Sequence, residues 1–193
     1  MTIYFRDLLL DVEGDVYAPA EDSFLLAENL DVRHGDLVLD MGTGSGIQAL
    51  AAAGKAGHVL AVDINPKALE VAAANARLNK VRNVEFRQSD LYSNVEGGFD
   101  LITFNPPYLP TEDNIVDFAL DGGDRGVEVI KKFIRESAAH LKPGGRLQFI
   151  VSSLNNLKVV ESELKKCGFS FNFAAEKKIF VEKLLLVNAE LKP

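Results

Sequence analysis

Val38-Leu39-Asp40-Met41-Gly42-Thr43-Gly44-Ser45-Gly46 is the stretch of sequence that decides the fold. The apolar run predicts a buried strand, which leads directly into three alternating glycines and then an alanine-rich helical segment. Glycine at such a turn lets the backbone approach a ligand closely. The spacing differs from Gly-x-Gly-x-x-Gly, which requires a glycine at position 47, so the turn disfavours a dinucleotide cofactor.

On both sides of this stretch, short apolar runs alternate with segments whose apolar residues recur every three or four positions. The alternation predicts an α/β fold with a mostly parallel seven-stranded sheet and helices on both faces. Asn65-Pro66 predicts a helix start, and Lys142-Pro143-Gly144-Gly145 predicts a helix end. The gap at 175–178 suits a hairpin and is too short for a crossover helix, which predicts one antiparallel strand. The predicted strands are 37–41, 59–63, 84–88, 101–104, 146–151, 169–174 and 179–187.

Length and composition exclude several classes of protein. A chain of 193 residues that is 47% hydrophobic predicts one domain over residues 1–193. Its apolar runs are far shorter than the roughly 20 residues of a membrane span, and acidic residues interrupt the N-terminal region where a secretory signal would be apolar. A single cysteine permits no internal disulfide and favours a cytoplasmic location. Because the chain has only three histidines and this one cysteine, we predict no metal site.

Acidic residues are concentrated in two segments. Residues 1–31 and residues 96–128 each contain eight acidic residues and one basic residue, so each segment sums to −7, equal to the net charge of the whole chain. The remaining residues are nearly neutral or basic. This distribution offers no clustered lysines and arginines for a phosphate backbone, which argues against a nucleic acid as partner.

Two further acidic residues follow predicted strands. Asp63 ends the second strand of the core, about 20 residues after the first glycine, where a carboxylate can accept hydrogen bonds from both ribose hydroxyls. Asp90 follows the third strand, where an adenine amino group can donate to it. A glycine-rich turn alone is weak evidence because many α/β proteins have one. Together with Asp63 and Asp90, the Asp-x-Gly-x-Gly-x-Gly turn resembles the S-adenosylmethionine site of class I methyltransferases.

Asn105-Pro106-Pro107-Tyr108 follows the fourth predicted core strand. Such a sequence can be a simple turn, but its place at the carboxyl end of a strand next to the glycine turn favours a role in catalysis. The Asn105 side-chain oxygen and the Pro106 carbonyl can each accept one N–H of a planar NH2 group, and Tyr108 can stack on its plane. An amide nitrogen is a poor nucleophile, so we expect the main catalytic task to be alignment.

The tetrad occurs in methyltransferases that act on exocyclic amines of adenine or guanine and in those that act on glutamine side chains. A second block, residues 16–26 (VYAPAEDSFLL), resembles the N-terminal signature of HemK-type glutamine methyltransferases, in the short branch that acts on class I release factors in archaea and eukaryotes. The chain has Asp40 where that branch often has Glu and Ser23 where it often has Thr. Residues that the resemblance and the motifs place at the cofactor and acceptor site are Ser23, Asp40, Gly42, Gly44, Gly46, Asp63, Asp90, Leu91 and Asn105.

We therefore expect a Rossmann-like class I enzyme that transfers methyl from S-adenosylmethionine to a glutamine amide of a release factor. The resemblance implies that residues 1–31 form a lid over the cofactor on a core of residues 32–193. It also implies a small zinc-binding activator subunit, which we predict at an edge strand, Val84–Gln88. Two alternatives remain open at this point. One is a methyltransferase acting on adenine or guanine amines in RNA or DNA, and the other is a cofactor-binding subunit without activity.

Overall fold

Strands and helices alternate along the residues that the computed structural model describes, which are 1–14, 16–107, 127–180 and 182–192. The strands are β1 (Thr2–Phe5), β2 (Leu8–Asp11), β3 (Leu37–Met41), β4 (His58–Asp63), β5 (Val84–Gln88), β6 (Phe99–Phe104), β7 (Leu141–Ser152), β8 (Phe169–Ile179) and β9 (Glu182–Leu191). The helices are α1 (Glu21–Glu28), α2 (Ile47–Ala53), α3 (Pro66–Leu78), α4 (Glu128–Ser137) and α5 (Leu157–Lys166).

Seven strands form one sheet in the order β5-β4-β3-β6-β7-β9-β8. The first five strands in this order pair in parallel, and β9 runs antiparallel to both of its neighbours. This confirms the predicted mostly parallel sheet with one antiparallel strand. The chain crosses from β3 to β4 on one side and later returns to β6 on the other, which makes the β3/β6 boundary the point where the strand order reverses. Open α/β sheets bind ligands at such a point.

Helices cover both faces of the sheet. Successive strand residues point to opposite sides, and since both sets are largely apolar, both faces must be buried. On one face, α4 and α5 bury Ile130, Phe133 and Leu164 in the largest apolar cluster of the described residues. On the other face, the alanines of α2 pack on Val38, Val59 and Leu101, while α1 packs on β7 and β9. The small side chains of α2 let this helix lie close to the sheet directly behind the glycine turn.

Two boundaries of the predicted elements differ from the structure. Residues 175–178, expected to lie between two strands, belong to β8. Their polar sequence arises because β8 is an edge strand, and for the same reason Phe173 is 41% exposed. The helix end predicted at 142–145 lies slightly late, because α4 ends at Ser137 and a single 3-10 turn continues to His140. Residues 142–145 form a bulge early in β7, where Leu141 pairs with Phe99 and Arg146 with Leu101. By contrast, the Asn65 cap is confirmed, since its Oδ1 accepts from the Lys67 backbone N–H at 3.0 Å.

A short antiparallel hairpin of β1 and β2 precedes this core and was not predicted. Asn75 of α3 is almost fully buried and fastens the hairpin in place. Its Oδ1 accepts from the Asp11 backbone N–H at 2.8 Å, and its Nδ2 donates to the Asp11 carbonyl at 3.1 Å. The same Nδ2 also donates to the Ser45 carbonyl at 2.9 Å. One side chain therefore joins the hairpin, α3 and the glycine turn.

No helix within the described ranges is long and apolar enough to cross a membrane.

Candidate active site

Four parallel strands bring the predicted site residues to one edge of the sheet. Asp63 is the last residue of β4. On the adjacent strands, Met41 ends β3 and Phe104 ends β6, so the glycine turn follows β3 directly and Asn105 follows β6 directly. Asp90 comes two residues after the end of β5. Because the carboxyl ends of parallel strands meet at one edge, residues distant in sequence are assembled into a single crevice.

The glycine turn, residues 42–46, has a backbone that glycine alone adopts easily. Gly42, Gly44 and Gly46 have φ values of +60°, +54° and +87°. A Cβ on Gly42 would lie 2.9 Å from Cε2 of Phe104, so the turn passes directly against the end of β6. The Thr43 backbone N–H donates to the Val62 carbonyl at 2.9 Å and so fixes the turn to β4 as well. Thr43 and Ser45 of the turn are buried, and at the glycines the backbone carries no side chain, which suits a closely approaching ligand.

Asp40 lies under the turn with its side chain completely buried. Its Oδ2 accepts from Thr43 Oγ1 at 2.6 Å and from the Ala49 backbone N–H at 3.1 Å. Its Oδ1 has no hydrogen-bond partner within the described part of the chain. Burial raises the pKa of Asp40 to about 7, against the two hydrogen bonds that favour the ionised form. A buried acceptor without a donor is costly, which indicates a site built to receive a donor or a cation.

Asp63 faces the turn from the end of β4. One oxygen accepts from the Gly44 backbone N–H at 2.9 Å and the other from the Asn65 backbone N–H at 2.9 Å. Burial raises the pKa of Asp63, and these backbone N–H groups oppose the shift. Each carboxylate oxygen keeps a further lone pair for a hydroxyl donor. Asp90 differs because it is exposed, with Lys132 Nζ 3.7 Å from its Oδ1; the next residue, Leu91, has a left-handed backbone with φ +47°.

Asn105 is held by α1 of the N-terminal segment. Its Nδ2 donates to Ser23 Oγ at 3.3 Å, although the two residues are 82 positions apart in sequence. Its Oδ1 is buried and, among the described residues, has no partner. The Ser23 carbonyl in turn accepts from Gln48 Nε2 of α2 at 3.0 Å. The structure thus brings Ser23 to Asn105 and leaves one acceptor oxygen of Asn105 for another molecule.

Some predicted residues lie outside the described ranges. They are Tyr108, the glycine-containing stretch 122–126 downstream of the tetrad, and four residues of the two acidic segments, Asp15, Glu112, Asp113 and Asp117. Within the described ranges, no group of three or more His, Cys, Asp or Glu residues is arranged to hold a metal ion. Residues that sequence reasoning missed are Tyr17, Asp22, Gln48 and Phe104. Asp22 and Tyr17 stand inside the quoted block 16–26, but their contacts with the site depend on helix packing that no local pattern reveals.

The strand order, the glycine turn at the point where that order reverses, and the carboxylates at the next strand ends together define a class I methyltransferase. The Methyltransferase small domain model matches residues 19–181. A protein of Methanocaldococcus jannaschii, named as a candidate protein N5-glutamine methyltransferase, is 44% identical over 98% of each chain. Release factor glutamine methyltransferase of Deinococcus radiodurans is 38% identical over 68% of this chain and 51% of its own length.

Among solved structures, the Mtq2-Trm112 complex of E. cuniculi, described as responsible for the methylation of the eRF1 translation termination factor, superposes with a TM-score of 0.74. The identity is 28%, over 93% of this chain and 100% of that one. The chain belongs to the Methyltransferase small domain family and, within it, to the HemK-type protein glutamine methyltransferases. It spans nearly all of the M. jannaschii relative but about half of the D. radiodurans one, which agrees with the resemblance to the short branch.

Proposed function

We propose that this chain uses S-adenosylmethionine to methylate the side-chain amide of a glutamine in a translation release factor. The observation that carries the proposal is the Asn105 amide, anchored through Nδ2 and presenting a buried, unpartnered Oδ1 beside the glycine turn. An acceptor in this state suits the N–H of an incoming amide. The substrate class is supported by the names of the D. radiodurans and E. cuniculi proteins, which act on termination factors.

The residues at the strand ends fit S-adenosylmethionine. The turn offers backbone that no Cβ obstructs, Asp63 has lone pairs for ribose hydroxyls, and Asp40 has a buried oxygen without a donor. We assign Gly42, Gly44 and Gly46 to backbone contacts with this cofactor and Asp90, with Leu91, to its adenine end. When bound, the cofactor supplies an electrophilic methyl group on a sulfonium.

The tetrad 105–108 would hold the nucleophile. Asn105 Oδ1 and the Pro106 carbonyl would accept the two amide hydrogens, the two prolines would restrict the backbone, and Tyr108 would stack on the amide plane. An amide lone pair is delocalised, so rate enhancement comes mainly from holding the nitrogen in line with the methyl group. The surplus proton of the methylated nitrogen can leave to water, and no histidine base is required.

An activator subunit is the second part of the proposal. β5 lies at the edge of the sheet, as the sequence predicted, and an edge strand can pair with a strand of another chain. On that strand Glu85 and Arg87 are joined by a salt bridge of 2.5 Å. A subunit bound here would lie beside Asp90 and Leu91 and would steady the adenine end of the site. The E. cuniculi relative was solved in complex with Trm112, which supports a partner subunit for this chain.

Methyl transfer from labelled S-adenosylmethionine to recombinant release factor, tRNA and DNA tests the substrate. We expect label on a glutamine of the release factor alone. Asn105→Ala should lower turnover at least about a hundredfold with little change in cofactor Kd, because it removes an acceptor felt mainly by the reacting amide. Asn172→Ala, at an exposed position of β8, is the matched control. Faster methylation of RNA or DNA, or near-normal turnover of Asn105→Ala, would contradict the proposal.

Hydrogen exchange tests the activator. Co-expression with the small zinc-binding protein should raise activity and slow amide exchange at Phe86 and Gln88, whose N–H groups face the open edge, because the register of β5 with β4 turns the N–H groups of Glu85 and Arg87 toward β4. Unchanged activity together with unchanged exchange at Phe86 and Gln88 would rule out docking at β5.

A further inference from the structure

A continuous chain of hydrogen bonds leads from the N-terminal segment to the catalytic amide. Tyr17 Oη donates to the Asp22 carboxylate, at 3.1 Å from each oxygen. Asp22 Oδ1 also accepts from the Ser23 backbone N–H at 2.6 Å and from Ser23 Oγ at 3.2 Å. Ser23 Oγ accepts from Asn105 Nδ2 at 3.3 Å. Asp22 and Ser23 are each 3% exposed, so the chain is largely shielded from water.

The positions of the protons determine which group donates and which accepts in each hydrogen bond of this series. A carboxylate only accepts hydrogen bonds, so the single proton of the Ser23 hydroxyl points to Asp22. The lone pairs of Ser23 Oγ then face Asn105 and can only accept, which places the NH2 of Asn105 against Ser23. The opposite orientation of the amide would set two acceptors against each other and turn two donors toward the substrate. It would leave no side-chain acceptor for the N–H of a glutamine.

We infer that Tyr17 and Asp22 are positioning residues that act through Ser23 to fix the orientation of the Asn105 amide, so that its oxygen faces the acceptor site. The inference rests on the proposed function, because it assigns the direction of the amide to capture of a substrate N–H. Asp22 sets the direction of the Ser23 hydroxyl, and Tyr17 holds the carboxylate by both oxygens. Burial beside the Asp22 carboxylate raises the pKa of Tyr17, so its phenol keeps the proton that it donates.

This role differs from direct binding of the cofactor, which the sequence implied for Ser23. A residue that only binds cofactor changes the cofactor Kd when it is replaced. A residue that orients Asn105 changes kcat and leaves that Kd nearly constant. Tyr17 and Asp22 separate the two roles because they reach Asn105 only by way of Ser23 in the bonds described above.

Kinetics of four variants provide the first test. Tyr17→Phe and Asp22→Asn should lower kcat by about three- to tenfold, the equivalent of one hydrogen bond, with cofactor Kd and peptide KM changed by less than about twofold. Ser23→Ala should lower kcat by about tenfold or more, and Ser23→Thr, which keeps the hydroxyl, should restore most of it. A rise in cofactor Kd as large as the fall in kcat would overturn the inference.

A second measurement does not depend on activity. In protein labelled with 15N-asparagine, the side-chain amide of Asn105, assigned by its loss in Asn105→Ala, should shift in Tyr17→Phe and in Asp22→Asn. The Asn79 amide, which donates to the Leu9 and Asn75 carbonyls, should stay unchanged and report that the fold is intact. An Asn105 signal indifferent to both variants refutes the positioning role. A responsive Asn105 signal in an enzyme that methylates no release factor refutes the proposed function and leaves the positioning role standing.

Discussion

Replacing Asp40 by asparagine should make the free energy of unfolding less dependent on pH. The side chain is fully buried beneath the glycine turn, and one of its oxygens has no partner among the described residues. An asparagine at this position would keep the shape and the acceptor that Thr43 and Ala49 use, but it would not titrate. Any cost of the new NH2 group is the same at every pH. The comparison of wild type and variant across pH therefore isolates the ionisation of Asp40.

The magnitude follows from the pKa. Burial raises the pKa of Asp40 from 3.8 to about 7, with the charge of Asp63 adding to the shift. A raised pKa means that the folded state favours the protonated acid, so the stabilisation is complete below about pH 4 and is lost as pH rises to about 7. At about 1.4 kcal/mol per unit, wild type should lose about 2–3 kcal/mol between pH 5 and pH 8 through this group. The variant should not.

Urea unfolding followed by far-ultraviolet circular dichroism measures this loss. The free energy of unfolding of Asp40→Asn, relative to wild type, should increase by about 2–3 kcal/mol from pH 5 to pH 8. Asp7→Asn, at an exposed position of the N-terminal hairpin, should show no such trend. The same relative free energy at both pH values for Asp40→Asn would refute the reasoning and would mean that Asp40 is already ionised at pH 5.

Asp63→Ala should weaken cofactor binding in calorimetry by at least about tenfold, through lost hydrogen bonds, while leaving kcat at saturating cofactor less affected. Gly42→Ala should destabilise the fold and weaken cofactor binding together, since the new Cβ would meet Phe104 at 2.9 Å in a left-handed backbone; full affinity in that variant would contradict the tight turn. The acidic segment 96–128 contains the tetrad, so we expect its carboxylates to border the acceptor site and to attract a basic peptide. Reversal of Glu112 and Asp113, which lie outside the described ranges, to lysine should then slow association with the release factor chiefly at low salt; rates indifferent to reversal and to salt would contradict this expectation.

Elements with strong local signals were predicted closely. Leu37–Met41 and Val84–Gln88 match the observed strands residue for residue. The first is a largely buried apolar run bounded by turn residues, and the second alternates apolar and polar residues, as a partly exposed edge strand does. The site residues at strand ends followed from that pattern, since topology alone brings the ends of β3, β4 and β6 together. Local sequence and one topological rule thus account for most of the crevice.

Features that depend on distant contacts were not predicted. The hairpin of β1 and β2 consists of two four-residue strands, and it is fastened by Asn75 and Asn79, more than sixty positions away in sequence. The bond from Asn105 to Ser23 spans 82 positions and exists only because α1 packs on β7 and β9. The polar end of β8 carries no strand-like alternation because that edge is open to water. In each case tertiary packing, rather than local preference, sets the outcome.

The three hydrogen bonds of the Asn75 side chain have a consequence for which sequence changes this protein can accept. Because the Asn75 amide joins β2 to the Ser45 carbonyl of the glycine turn, the N-terminal hairpin of β1 and β2 supports the position of this turn. A change in the hairpin that moves Asp11 would be felt as altered cofactor affinity, although no hairpin atom need touch the ligand. Hairpin, α3 and glycine turn are therefore structurally coupled, and a chimaera of two relatives should exchange all three together.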